Sequence, residues 1–221
     1  MRIVILGSPG VGKGTIAGMI KDKLGISHIS TGDILREELK KDSELGREIK
    51  ACVQNGKLVP DEIITRIVDN KFMLEKEQLK KGFILDGFPR TQAQAEDLNK
   101  ILEKAGITLD FALYMKAAMS TILTRITGRR VCRKCGALYH IKALPPKVKN
   151  TCDKCGGELY QRSDDNAETI KTRIKIYNDS TKPVIDFYKK QKRLRILDAN
   201  KESTEIFQDL MASVNENQSA H

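Results

Sequence analysis

Residues 2–15 read Arg2-Ile3-Val4-Ile5-Leu6-Gly7-Ser8-Pro9-Gly10-Val11-Gly12-Lys13-Gly14-Thr15, and this stretch decides the fold. A short apolar run enters a Gly-x-x-x-x-Gly-Lys loop. Ile16, Ala17, Met19, Ile20 and Leu24 follow at helical spacing. Strand, Gly-rich turn and helix in that order make a phosphate-binding loop. Glycines let main-chain N–H groups face an anion, and the helix beginning near Gly12 adds its positive end. Gly10, Val11, Gly12, Lys13, Gly14 and Thr15 are the expected cradle, with Lys13 as a point charge on the outer phosphates. Gly14 stands where such loops mostly carry the Ser or Thr that binds magnesium. Mg²⁺ therefore has to be held by phosphates, water and a carboxylate from elsewhere.

Working outward, five apolar runs read as buried parallel strands: Ile3–Leu6, His28–Ser30, Phe83–Asp86, Phe111–Met115 and Arg195–Asp198. Helical patterns lie between and after them, at 12–24, 61–75, 91–104, 118–127, 166–190 and 202–214. Strand and helix in alternation predict an α/β fold, a five-stranded parallel sheet with helices on both faces. Its ligands sit at the carboxyl ends of the strands, where Gly7, Thr31, Asp86-Gly87 and Lys116 fall. Two stretches break the alternation. Residues 30–60 carry helix-like segments (Ile34–Lys41, Leu45–Gln54) and then Asn55-Gly56-Lys57-Leu58-Val59-Pro60, a helical insertion. Residues 128–165 are turn-rich, with Pro145-Pro146, Gly156-Gly157 and four cysteines. The predicted division is a core of 1–29, 61–127 and 166–221 with these two insertions. The tail 215–221 is polar and expected to fray.

Cys132-x-x-Cys135 and Cys152-x-x-Cys155 have the spacing of a tetrahedral four-thiolate site. Four cysteines close the shell and leave no position for water, so the metal is structural: zinc, with iron as the chemical alternative. An insertion this small has no core of its own, and metal binding supplies its folding free energy. His140, close by, reads as a structural hydrogen-bonding residue. Cys52 reads as a small apolar filler, and His28 and His221 carry no signal.

Of 221 residues, Lys and Arg exceed Asp and Glu by 39 to 29, which points to an anionic partner. Nucleotide phosphates, nucleic acid and acidic membrane share that sign. Aromatic residues are 5% and Trp is absent, so platforms for stacking single-stranded bases are scarce. No apolar run reaches the ~18 residues of a membrane span. The N-terminus reads as a strand rather than a cleavable signal, and paired Cys-x-x-Cys units favour a reducing compartment, the cytoplasm.

The second dense segment is Phe83-Ile84-Leu85-Asp86-Gly87-Phe88-Pro89-Arg90-Thr91. Its strand delivers Asp86 to the edge that holds the phosphate loop, where a carboxylate can orient water on Mg²⁺. Gly87 and Pro89 aim Arg90 across that edge. Arg36, Arg90, Arg125, Arg129, Arg162 and Arg173 all lie where an insertion meets the core. Guanidinium forks suit phosphoryl oxygens.

With these motifs together, the sequence resembles the adenylate kinases of the long-lid, zinc-containing type. The likeness runs from Met1 to about Lys201 and includes Ser30-Thr31-Gly32-Asp33-Ile34-Leu35-Arg36, Gly56-Lys57-Leu58-Val59, Asp86–Arg90 with Gln94, Gly128-Arg129-Arg130, Tyr139-His140 and Arg162–Asp165. It implies a nucleoside-monophosphate flap at 30–60, a lid over ATP at 128–165, and the reaction ATP + AMP ⇌ 2 ADP with Mg²⁺. Gly14 is normal in that family. The resemblance assigns Thr31, Arg36, Lys57, Leu58, Val59, Gly87, Phe88, Pro89, Arg90 and Gln94 to AMP. It assigns Arg125, Arg129, Leu138, Tyr139 and Lys201, with the loop, to ATP. Lys13, Asp86, Arg90, Arg129, Arg162 and Arg173 would act on the transferring group, the last two also touching AMP. It implies a monomer, with an archaeal-type trimer as the variant, and no nucleic-acid or membrane partner. A kinase for UMP, CMP or GMP, and an ATP-regulated zinc ribbon that binds nucleic acid, are the other readings.

Overall fold

A computed structural model describes residues 1–41 and 43–218; His221 and the end of the expected polar tail, 219–221, lie outside the described residues. Five parallel strands form the central sheet: β1 (Arg2–Leu6), β2 (Ser27–Ser30), β3 (Phe83–Asp86), β4 (Phe111–Lys116) and, last in the chain, β8 (Leu194–Asp198). Their order is β2-β3-β1-β4-β8. β1 is central, and its neighbours on the two sides come from different parts of the chain. The crevice at its carboxyl end is where such sheets bind ligands.

Alternation along β1 sorts the core into two layers. Val4 and Leu6 join Phe83, Leu85 and Ala112 under α2 (Thr31–Glu38), α3 (Glu44–Gln54), α4 (Asp61–Leu74), α5 (Lys76–Lys81), α6 (Gln92–Ala105) and α9 (Lys182–Lys190). Ile3 and Ile5 join Ile84, Phe111 and Leu113 under α1 (Lys13–Leu24) and α10 (Ser203–Gln218). Burial on both faces explains why these strands read as continuous apolar runs rather than alternating ones. α7 (Met119–Gly128) packs through Ile122 and Ile126 on Ile170 of α8 (Ala167–Ile176).

The expected strands and most helices stand within about a residue of their predicted ends. Four features differ. α2 spans Thr31–Glu38, three residues ahead of the expected Ile34–Lys41, because Ser30 caps it by accepting the Asp33 N–H. The expected helix 166–190 is broken by a π-helical turn, Tyr177–Thr181, before α9. Pro183, in the first turn of α9, has no N–H for the preceding turn to receive. α5 was not expected, because Leu79 is its one buried side chain and a six-residue helix shows no period. The last helix runs on to Gln218, past the expected end at 214 and into the tail expected to fray.

The cysteine insertion is not simply turns. β5 (Arg129–Cys132), β6 (Leu138–His140) and β7 (Leu159–Tyr160) form an antiparallel sheet in the order β6-β5-β7. No helix among the described residues is long and apolar enough to cross a membrane.

Gly10 shows how tightly the loop is bound to the core. Its φ is +81°, and an added Cβ would collide with the Ile126 side chain of α7. Gly10→Ala combines backbone strain with overpacking, about 3 kcal/mol together, which lowers Tm by about 6–12 °C in a chain of this size. Thermal unfolding followed by circular dichroism checks this; an unchanged Tm would show that the loop moves freely off α7.

Candidate active site and metal centre

The four helices α2, α3, α6 and α8 each receive a side-chain cap, from Ser30, Ser43, Thr91 and Asn166. α1 receives none: its N-cap is Gly12, in the left-handed region with φ 106°. Its first N–H groups therefore remain free for an anion at the end of the central strand. Lys13 curls over the loop, its Nζ donating to Gly7 O at 2.7 Å and Ser8 O at 3.0 Å. Burial pushes its pKa down to about 8; Asp86 opposes this, while Arg90, Arg173 and Arg129 add to it.

Asp86 pairs in register with Ile5 of β1 and Ser30 of β2, so its carboxylate stands at the level of the loop. Oδ2 lies 3.8 Å from His28 Nε2. Burial works against the carboxylate, but the neighbouring His28 ring and the charges of Lys13 and Arg90 outweigh it, so the group stays ionised. One ionised carboxylate beside the loop lysine, with Gly14 in place of a hydroxyl, fits a Mg²⁺ held mostly by phosphate and water oxygens. Leu138 of β6 covers this point: a side chain on Gly14 would come within 3.3 Å of Leu138 Cδ1.

Five of the six arginines converge. Arg36 Nη2 reaches Asp33 Oδ1 at 2.5 Å, and Arg162 Nη2 stands 3.6 Å from the same oxygen. Arg129 grips Asp165 with two nitrogens, Nε at 2.8 Å and Nη2, and the Asp165 side chain is 0% exposed. Arg173 Nη1 donates to Asp164 Oδ2 at 2.8 Å. Arg90 Nε donates to Gly87 O at 2.7 Å. These cations crowd one another. Burial, then Arg173, bring Arg90 down to about 10; burial, then Arg36 and Arg129, do the same to Arg162. Arg162 Nε is buried without a hydrogen-bond partner among the described residues. Such mutual repulsion at neutral pH is relieved by a multivalent anion.

Thr31, Arg36, Lys57, Leu58, Val59, Gly87, Arg90, Gln94 and Arg173 line one cavity, together with Leu35, Val53 and Ile64. Phe88 is in the core at 1% exposure, so only its main chain can face that cavity; it joins Pro89 through a cis bond. Gln94 is 2% exposed and held at both ends of its amide: Oε1 accepts the Arg90 N–H at 2.7 Å, and Nε2 donates to Asp61 Oδ1 at 2.6 Å, which leaves one N–H and one lone pair free. Thr91 Oγ1 donates to the other oxygen of Asp61 at 2.7 Å. Asp61 thus orders this corner, and the sequence reading missed it because an acidic residue in a first helical turn has an ordinary local explanation.

Two expected residues stand apart from the arginine cluster. Arg125 donates to Val11 O, Ala199 O and Lys201 O at 2.7–2.8 Å, fastening the loop to the segment after β8. Lys201 Nζ is paired with Asp209 at 2.7 Å on the surface. A larger concavity of about 570 Å³ lies at the opposite end of the sheet, between Leu102, Ile107, Leu109 and Arg193, and holds none of the expected site residues.

In the cysteine insertion the two knuckles are alike. Gly136 N–H donates to Cys132 O at 3.0 Å and Gly156 N–H to Cys152 O at 2.8 Å. The four Sγ atoms lie within 4.8 Å of one another, with Cys132–Cys155 at 3.5 Å and Cys135–Cys152 at 3.6 Å. A tetrahedral Zn²⁺ with bonds of about 2.3 Å needs sulfurs about 3.8 Å apart, so the donor set fits structural zinc. The Tyr139 hydroxyl, beside Cys152 Sγ, is the main cause that draws that thiol down to about 6. His140 has the expected structural part: Nδ1 accepts the N–H of Lys142 and of Ala143, and Nε2 meets Thr124 O at 3.1 Å.

Comparison with known proteins agrees with this geometry. The family model described as adenylate kinase matches residues 5–193. An adenylate kinase of Caldanaerobacter subterraneus subsp. tengcongensis is 51% identical over 210 residues, 95% of this chain and 94% of that protein. One of Clostridioides difficile is 46% identical over 214 residues, 97% of this chain and 98% of that protein. One of Bacillus pumilus is 46% identical over 210 residues, 95% and 96% of the two chains. With a phosphate loop at the end of β1, a ring of arginines and likeness over almost its whole length, the chain belongs to the adenylate kinase family.

Proposed function

We propose that the protein transfers a phosphoryl group reversibly from Mg²⁺-ATP to AMP, giving two ADP. The observation that carries this reading is the packing of Lys13, Arg36, Arg90, Arg129, Arg162 and Arg173 around one uncapped helix N-terminus and one lined cavity. A site for one phosphate needs fewer charges. The family match gives no support to the alternatives of a different monophosphate kinase or a nucleic-acid-binding ribbon.

In this reading residues 10–15 cradle the ATP phosphates through main-chain N–H groups, and Lys13 neutralises charge on the outer ones. Arg129 and the strand at Leu138-Tyr139 close over ATP, while Arg125 and Lys201 border it from behind the loop. AMP lies in the cavity of Thr31, Arg36, Lys57–Val59, Gly87–Arg90 and Gln94, with Arg90 and Arg36 on its phosphate. Arg162 and Arg173 clamp the group in flight. The accepting oxygen is a phosphate oxygen already ionised at neutral pH, so no general base is required. Positioning and charge neutralisation supply the rate. Mg²⁺, when bound, offsets charge on the phosphates, and Asp86 would orient its water.

Segments 30–60 and 128–165 act as flap and lid on the core 1–29, 61–127 and 166–221. Closure excludes water, without which bound ATP is open to hydrolysis. The enzyme acts as a monomer in the cytoplasm; a trimer by light scattering would overturn the first of these.

A coupled assay with ATP and each of AMP, GMP, CMP and UMP tests the acceptor. AMP is expected to have the highest kcat/KM, and a faster UMP or CMP would reject the base assignment. The pKa of Lys13 makes a second expectation. Nucleotide phosphates favour its ammonium form, so below about pH 8 affinity for Mg²⁺-ATP is flat in this group's titration. Above it, binding takes up a proton and affinity falls. Calorimetry in two buffers of different ionisation enthalpy measures that uptake. It should vanish in Lys13→Met, and wild-type affinity level to pH 9.5 would remove the effect.

A further inference from the structure

We propose that Tyr139 is a positioning residue that couples the four-cysteine metal site to the phosphate loop, so that metal retention and nucleotide binding support each other. The inference rests on the structural-zinc and ATP-lid readings above.

β6 is three residues long, and its side chains alternate. Leu138 and His140 share one face; Tyr139 takes the other. On the first face Leu138 stands over Gly14 of the phosphate loop, and His140 Nε2 meets Thr124 O of α7 at 3.1 Å. With Nδ1 accepting two main-chain N–H groups, Nε2 is the donating nitrogen, so this bond is directional. The first face of β6 is therefore fixed to the core beside the nucleotide phosphates.

On the second face Tyr139 is 8% exposed and packs with Cys132, Cys152 and Leu159, the small core of the insertion. Its hydroxyl oxygen accepts the Asp153 N–H at 2.8 Å and lies 3.5 Å from Cys152 Sγ. A metal-bound thiolate can only accept, so the tyrosine hydrogen points at sulfur. Asp153 Oδ1 in turn accepts the Lys147 N–H at 3.0 Å. One hydroxyl thus joins the second knuckle, the loop after Pro146 and the strand above Gly14. A metal that holds Cys152 in place holds β6 in place, and a nucleotide that holds β6 down must, by reciprocity, hold the metal.

The experiment follows zinc transfer from the full-length protein to a colorimetric chelator, after elemental analysis has established one zinc per chain. It is run with and without a non-hydrolysable ATP analogue and excess Mg²⁺. Free nucleotide chelates zinc and would speed transfer, so protection has the opposite sign to that artefact. In wild type the analogue should slow transfer about fivefold or more. Tyr139→Phe, which keeps the ring, should release zinc about tenfold faster without nucleotide. The analogue's protection should then shrink below twofold. Lys142→Gln, which changes an exposed side chain of the same insertion and leaves its main-chain N–H to His140 in place, should leave both rates as in wild type. Wild type without protection, or a Tyr139→Phe protein with wild-type release and protection, overturns the coupling. A protein without zinc would instead sink the metal reading itself, and the elemental analysis reports that separately. The wild-type arm needs no variant to fold.

Discussion

Lys13→Ala is expected to lower kcat about a thousandfold while the protein stays folded. The lysine has two partners, Gly7 O and Ser8 O, and both are carbonyls that water can also satisfy. Losing two such bonds at a half-buried point costs about 1–2 kcal/mol of stability, a minor part of the total. The catalytic loss is larger because Lys13 stands where charge shifts from the donor to the transferring group. A fixed cation or donor at such a point is worth about 2.7–4 kcal/mol. Binding should suffer less than turnover, since the free N–H groups at the start of α1 still meet the phosphates. Lys13→Arg should not rescue, because a planar fork cannot occupy the position of a point charge between the two carbonyls. The measurements are kcat and KM by coupled assay, with Tm and far-ultraviolet circular dichroism beside them. Turnover near wild type in a folded Lys13→Ala protein would remove the loop lysine from the mechanism.

How much of this was legible beforehand depends on the range of each interaction. The central strands were legible because burial on both faces leaves uninterrupted runs such as Ile3–Leu6 and Phe83–Leu85. The loop was legible because glycines are placed at fixed offsets by the geometry of an anion cradle. The cysteine spacing was legible because two knuckles repeat one local hydrogen-bond pattern. The strands β5 to β7 were not, since strands of two to four residues show no period and are held by the sulfur cluster rather than by propensity. The arginines could be named, but their partners could not. Asp33, which faces both Arg36 and Arg162, and Asp165, which both oxygens bind to Arg129, acquire meaning only when the insertion folds back over the core. Arg125 has the reverse history: an arginine beside an insertion reads as a phosphate ligand, yet its three bonds go to main-chain carbonyls. The Asp61–Gln94 bond joins residues far apart in sequence, and nothing local to either announces the other.

Cys152→Ser is expected to have the largest effect on order, and that effect should be confined to the cysteine insertion. Its core consists of Cys132, Tyr139, Cys152 and Leu159, two of which are metal ligands. The other two side chains contribute about 1.5–3 kcal/mol each on burial. Structural Zn²⁺ contributes about 10–16 kcal/mol in isolated zinc-finger peptides. Metal therefore dominates the ordering of residues 128–165, and three thiolates with a serine hydroxyl should not hold it at stoichiometric occupancy. Hydrogen exchange should speed across β5, β6 and β7. β1 and β3, buried between two helical layers, should keep their protection. Phosphotransfer should persist at low temperature and still require Mg²⁺, because the four-thiolate shell leaves no position on zinc for a reacting oxygen. It should fall faster than wild type on heating, as the lid fails to close and Arg129 and Arg162 are no longer delivered. If activity instead tracked zinc occupancy in protein whose insertion kept its exchange protection, zinc would have a direct part in the chemistry and the structural assignment would be wrong.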